Sequence, residues 1–203
     1  YGRGEGVITN MGDYAKDRAD LVNSIRVSDD QWNSFSQEDR AAIEKYMRDL
    51  GMARNEAIAK YLLQSNNKYL AGQISGVTQD ALSAATNSLE TAKEDIAPVA
   101  ESMANTLVNK FGDNISAGSA YVTDAFDKML SDAKVGSPET QAELAAELNK
   151  SIHDSLGAMG KSAYGEALMK RLYQNEIGKM TLTDLDTNLR QDMGDEAVAK
   201  TSR

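Results

Sequence analysis

Residues 78–111 read TQDALSAATNSLETAKEDIAPVAESMANTLVNKF. Leu82, Ala85, Leu89, Ala92, Ile96, Val99, Met103, Leu107 and Phe111 recur at every third or fourth position of this stretch, which places them on one side of an α-helix and on no single face of a strand. Left in water, a stripe of that length would expose a patch large enough to drive association. It is therefore expected to lie along its whole length against another helix, of the same chain or of a partner. Pro98 falls inside this seam and removes one backbone donor. The helix is expected either to kink there or to restart, with Asp95 as its cap and Pro98 in its first turn.

The same reading extends in both directions. Met11, Tyr14, Arg18, Leu21, Val22 and Ile25 form a one-sided helical stripe, with Asn10 as an expected cap. Before it, the Gly-Arg-Gly-Glu-Gly run after Tyr1 reads as a flexible lead-in through residue 9, because alternating glycine carries a high entropic cost of ordering. Ser28-Asp-Asp-Gln31 and Ser36-Gln-Glu-Asp39 are helix starts whose serine hydroxyls can accept from backbone amides three residues on. Ile43, Tyr46, Met47 and Leu50 follow and stop at Gly51, and residues 53–74 form one frayed helix or two short ones divided at Asn66-Asn67. Phe111-Gly-Asp-Asn-Ile-Ser-Ala-Gly118 reads as a loop. A helix carrying Tyr121, Val122, Ala125, Phe126, Met129 and Leu130 stops at Val135-Gly136, after which Ser137-Pro138-Glu139 gives an N-cap, a first-turn proline and a first-turn acid in order. Leu144, Leu148, Ile152 and Leu156 make the next stripe, Tyr164, Leu168 and Leu172 resume it past Gly157 and Gly160, and Leu182, Leu185, Leu189 and Met193 form the last.

No alternating run of β-branched or aromatic residues is bounded by turn residues, so no strand is expected. The fold class is all-α: an elongated bundle of about seven to nine helices with short Gly/Ser/Asn loops. Its expected organisation is a lead-in over 1–9, a lobe over 10–112 ending in the seam helix, a second lobe over 113–194 and a frayed tail over 195–203. Thr78-Gln79-x-x-Leu82 and Thr140-Gln141-x-x-Leu144 resemble one another, but helix starts share this grammar and it signals no duplication.

Composition bounds the function. The 203 residues are 41% hydrophobic with only 6% aromatic, and the net charge is −9, a balance that repels phosphate backbones and anionic membrane faces. No run approaches the roughly 18 apolar residues of a membrane span. With no cysteine, thiolate zinc sites, iron–sulfur clusters, disulfides and cysteine nucleophiles are excluded. That composition favours a virion or a periplasmic or extracellular setting over the cytoplasm. A chain opening on Tyr1 is expected to be a processed protein or a piece of a longer one.

Three local patterns invite a chemical reading. His153 is the single histidine, hence the one possible base of a serine triad; it follows core-facing Ile152 beside Asp154 and reads as a surface residue. Gly160-Lys161-Ser162 ends like a phosphate-binding loop, yet Ser155 stands where that loop needs glycine and no strand precedes it, so a glycine break between helices is expected. Asp184, Asp186, Asn188, Asp192 and Asp195 match oxygen positions of a calcium loop, but Leu189 takes the place of its glycine and belongs to an apolar stripe. The acidic pairs Asp29-Asp30 and Glu38-Asp39 sit in first turns of helices, which the helix dipole explains. No catalytic, cofactor or metal site is assigned.

In composition, these acidic, cysteine-free helices rich in Ala, Gln, Asn and Ser resemble helical parts of bacteriophage virion or DNA-ejection proteins and the soluble parts of conjugation and secretion machines. The resemblance is one of composition and assigns no residue. The expected function is that of a non-catalytic structural or interaction module in such an assembly. It would associate with protein partners or itself through the 78–111 helix, with Leu82, Leu89, Ile96, Met103 and Leu107 at the contact. The alternative is a helical enzyme, such as a cell-wall hydrolase, whose catalytic acid is one of 31 acidic residues.

Overall fold

A computed structural model describes residues 2–65 and 67–172. Among these residues the chain is all-α: α1 (Gly2–Ser24), α2 (Asp29–Ser34), α3 (Gln37–Leu50), α4 (Arg54–Ser65), α5 (Lys68–Gln73), α6 (Gln79–Thr106), a π-helical turn (Leu107–Phe111), α7 (Ile115–Asp132), α8 (Pro138–Ala158) and α9 (Ser162–Leu172). The only strand-like pairing among them is a single bridge between Arg26 and Ser75. The expected stripe over 182–193 lies outside the described residues.

Helix starts follow the side chains that satisfy their free amides. The Ser28 hydroxyl accepts from Gln31 N–H, and Ser36 from Asp39 N–H. Thr78 accepts from Ala81, Asn67 from Leu70 and Ser137 from Thr140. Asn67 opens α5, so residues 53–74 form two helices. Helix ends depend on left-handed residues: Gly51 closes α3 with φ 67°. At the end of α7 the left-handed residue is Lys134 (φ 59°), where the sequence suggests Val135-Gly136. There Val135 N–H reaches Leu130 C=O and Lys134 N–H reaches Ser131 C=O, the paired bonds of a Schellman end.

Three expectations change. First, α1 begins at Gly2, and Asn10 lies in mid-helix with its amide donating to the Asp95 carboxylate. Burial of Val7, Met11, Tyr14, Arg18 and Leu21, each at most 1% exposed, outweighs the glycine entropy, since helices in proteins are stabilised chiefly by packing. Gly12 is itself a point of close approach: a Cβ there would stand 3.2 Å from the Ala133 carbonyl oxygen. Second, of the two readings at Pro98, kink or restart, the restart capped by Asp95 falls, because α6 runs through it. Pro98 and Glu94, whose carbonyl loses its partner, are both exposed, so water can take the place of the missing N–H. Third, the loop expected over 111–118 shrinks to residues 112–114, with the Asn114 side chain accepting from Ala117 N–H to start α7.

The chain forms two compact units. One runs through Asp95 and includes Leu130–Thr140; the other takes up Ile96–Met129 and resumes at Gln141. The glycine-containing stretch near 112, where the sequence suggests a lobe boundary, lies inside the second of these units. In the first unit α4 packs against α1, α3 and α5. Ala57, Ile58, Ala59, Lys60 and Leu62 are all buried, so this short helix has little outward face. In the second unit Leu107, Leu144, Leu148, Ile152, Leu156 and Leu168 are fully buried.

Candidate functional site

The five seam residues nominated for a partner are buried within the single chain: Leu82 is 4% exposed, Leu89 8%, Ile96 1%, Met103 5% and Leu107 0%. Periodicity reports that a face is covered, and here the chain's own residues cover it. The stripe ends in the π turn, where Gly112 N–H reaches back five residues to Leu107 C=O at 2.9 Å and Phe111 stacks on Tyr121 at 5.2 Å. Gly118 of α7 lies against this turn: a Cβ there would stand 3.0 Å from Leu107 Cδ2 and 2.9 Å from the Tyr164 hydroxyl. That hydroxyl is buried with no hydrogen-bond partner. Burial, and secondarily the Asp113 charge, raises the Tyr164 pKa above the usual phenol value.

His153 of α8 meets Glu166 of α9, with Nε2 and Oε1 2.8 Å apart. A carboxylate only accepts, so this bond requires the proton on Nε2. Nδ1 lies 3.8 Å from the Asp154 carboxylate. Both ring nitrogens thus face carboxylates, and the ring itself packs where a Cβ on Gly165 would come within 3.3 Å of its Cδ2. The arrangement ties α8 to α9.

Gly160-Lys161-Ser162 forms the end of one helix and the start of the next. Lys161 N–H donates to Leu156 C=O at 2.7 Å and Gly160 N–H to Gly157 C=O at 3.0 Å, with Gly160 at φ 74°. These are the two bonds of a Schellman end, and they direct the two amides back into α8 rather than toward an anion. The calcium-like run from Asp184 to Asp195 lies outside the described residues.

A polar cluster that the sequence reading does not anticipate lies in the first unit. Arg18 of α1, 1% exposed, forms an ion pair with Glu56 of α4 at 2.6 Å. Lys60, one turn further along α4 and 2% exposed, sits 5.1 Å from the centroid of the Tyr46 ring. The Tyr46 hydroxyl donates to Gln64, and that of Tyr61 to Asp39 Oδ1 at 2.5 Å. Glu56, Lys60 and Gln64 are spaced by four residues and so share a side of α4. That spacing was the available signal. It reads as a solvated i, i+4 face until α4 is known to be enclosed by three helices. Tyr61 loses its proton much less readily than a free phenol, first because it is partly buried and then because its bond to Asp39 would bring two negative charges together.

Two further features lie nearer the surface. Arg54 lies 5.5 Å from the centre of the Trp32 ring and donates to Val27 C=O at 2.9 Å. With the edge contact of Trp32 on Phe35 at 5.8 Å and a bond from the Gln31 amide to Gln73 C=O, it fastens α2, a helix with no buried residue. In the second unit a small groove is lined by Val122, Phe126, Asp127, Ala145, Asn149 and Leu172. Compared with family models, curated proteins and solved structures, the chain has no significant match.

Proposed function

We propose that this chain is a non-catalytic helical module of a larger bacterial or bacteriophage assembly, such as a virion, DNA-ejection, conjugation or secretion machine, and that it meets protein partners through its polar exterior. The supporting observation is the use made of its reactive side chains. Arg18 and Glu56 join α1 to α4, Tyr61 and Asp39 join α4 to α3, and His153 and Glu166 join α8 to α9. Each such pair is spent on holding one helix to another. Chemistry requires instead that such groups converge on a space a substrate can enter.

The exterior supports the same reading. Among the described residues, the exposed large apolar side chains are Tyr69 and Met159. Such a surface suits a polar, non-obligate contact better than a hydrophobic one. The setting within phage or transfer machines rests on the resemblance in composition.

The test has two arms. In native extracts the full-length protein should sediment in a particle of fixed stoichiometry, and cross-links should map to exposed positions of this chain rather than to the seam. In parallel, the purified chain is incubated with peptidoglycan. Release of soluble fragments that disappears on a single Glu→Gln or Asp→Asn substitution would establish the cell-wall hydrolase instead and sink the proposal.

A further inference from the structure

We draw no further inference here: the strongest candidate, the groove of the second unit between α7 and α8 lined by Val122, Phe126, Asp127, Asn149 and Leu172, carries nothing because nothing in the structure shows what covers it.

Discussion

The carbonyl oxygen of Ser24 lies 1.9 Å from the point where a Cβ on Gly76 would stand. Gly76 has φ 89°, and its neighbour Ser75 accepts the Arg26 N–H at 2.9 Å. Two chain segments some fifty residues apart are thus clipped backbone to backbone, and only glycine fits the clip. Gly76→Ala should cost about 3 kcal/mol, through left-handed strain plus displacement of the Ser24 peptide. Gly51 is the control, with φ 67° but nothing within 4 Å of its Cβ position; there alanine should cost about 1 kcal/mol, from strain alone. Urea denaturation measures both, and equal losses would show that the clip does not form.

The Tyr61–Asp39 contact predicts a loss of stability in alkali. The folded pKa of Tyr61 is raised, so its contribution is fully present below the unfolded phenol value of about 10 and declines as pH rises above it. Tyr164 shifts in the same direction. Tyr61→Phe should cost about 1 kcal/mol at neutral pH for the lost hydrogen bond and should flatten the decline between roughly pH 10 and 12. Melting temperatures of the two proteins across that range decide the matter; parallel curves would mean that Tyr61 is not held by Asp39.

Much of the architecture was legible because it is local. Ser28, Ser36 and Ser137 cap the helices they were expected to cap, and seven of the nine residues of the 78–111 stripe, all but Val99 and Phe111, are buried. What was not legible depends on partners distant in sequence. Gly6 looks like a coil residue until α1 is seen to bury Val7 and Met11. Lys134 ends α7 in a left-handed conformation that favours glycine, while Gly136 two residues on was the more obvious stop. Lys60, in the Glu56, Lys60, Gln64 row, is buried because α4 packs against three helices. Who covers the seam is also a question of tertiary structure, which periodicity cannot answer.

Gly160-Lys161-Ser162 should behave as a helix junction. Gly160→Ala places a side chain at φ 74° and should cost about 1 kcal/mol. Lys161 contributes its backbone N–H to the junction and its side chain is exposed, so Lys161→Ala should stay within about 0.5 kcal/mol of the parent. Thermal melts with EDTA, calcium, or magnesium and ATP should coincide. A rise of several degrees with magnesium and ATP that Lys161→Ala abolishes would restore a nucleotide-binding role.

The Arg18–Glu56 pair should show strong coupling. Arg18 is enclosed while Glu56 keeps 20% of its side chain exposed, so removing the acid takes a charged partner from the more deeply buried of the two groups. Glu56→Leu should cost about 3 kcal/mol by removing the opposing charge from a guanidinium held in the core. Arg18→Met should cost less, since the freed carboxylate can turn toward water. Combining the two should recover much of the loss, because buried ion pairs are often replaceable by packed apolar side chains. A double-mutant cycle by urea denaturation reads the coupling directly, and additive effects would mean that the ion pair contributes nothing to joining α1 and α4.

Leu89 separates a core seam from an assembly seam. Its side chain is 8% exposed in the single chain, so Leu89→Asp removes buried apolar surface and brings a carboxylate among apolar neighbours. The combined cost should exceed about 3 kcal/mol, a large share of the 5–15 kcal/mol that stabilises an ordinary domain. Far-UV circular dichroism should therefore show lost helicity or a markedly lowered melting temperature. Glu90→Ala, one residue on at an exposed position, should change stability by no more than about 0.5 kcal/mol. Light scattering supplies the discriminating reading, because a face covered within one chain can be disrupted only by unfolding that chain. If Leu89→Asp kept full helicity while the mass fell to that of a smaller species, Leu89 would be covered by a second subunit, and α6 would be the interface that its sequence first suggests.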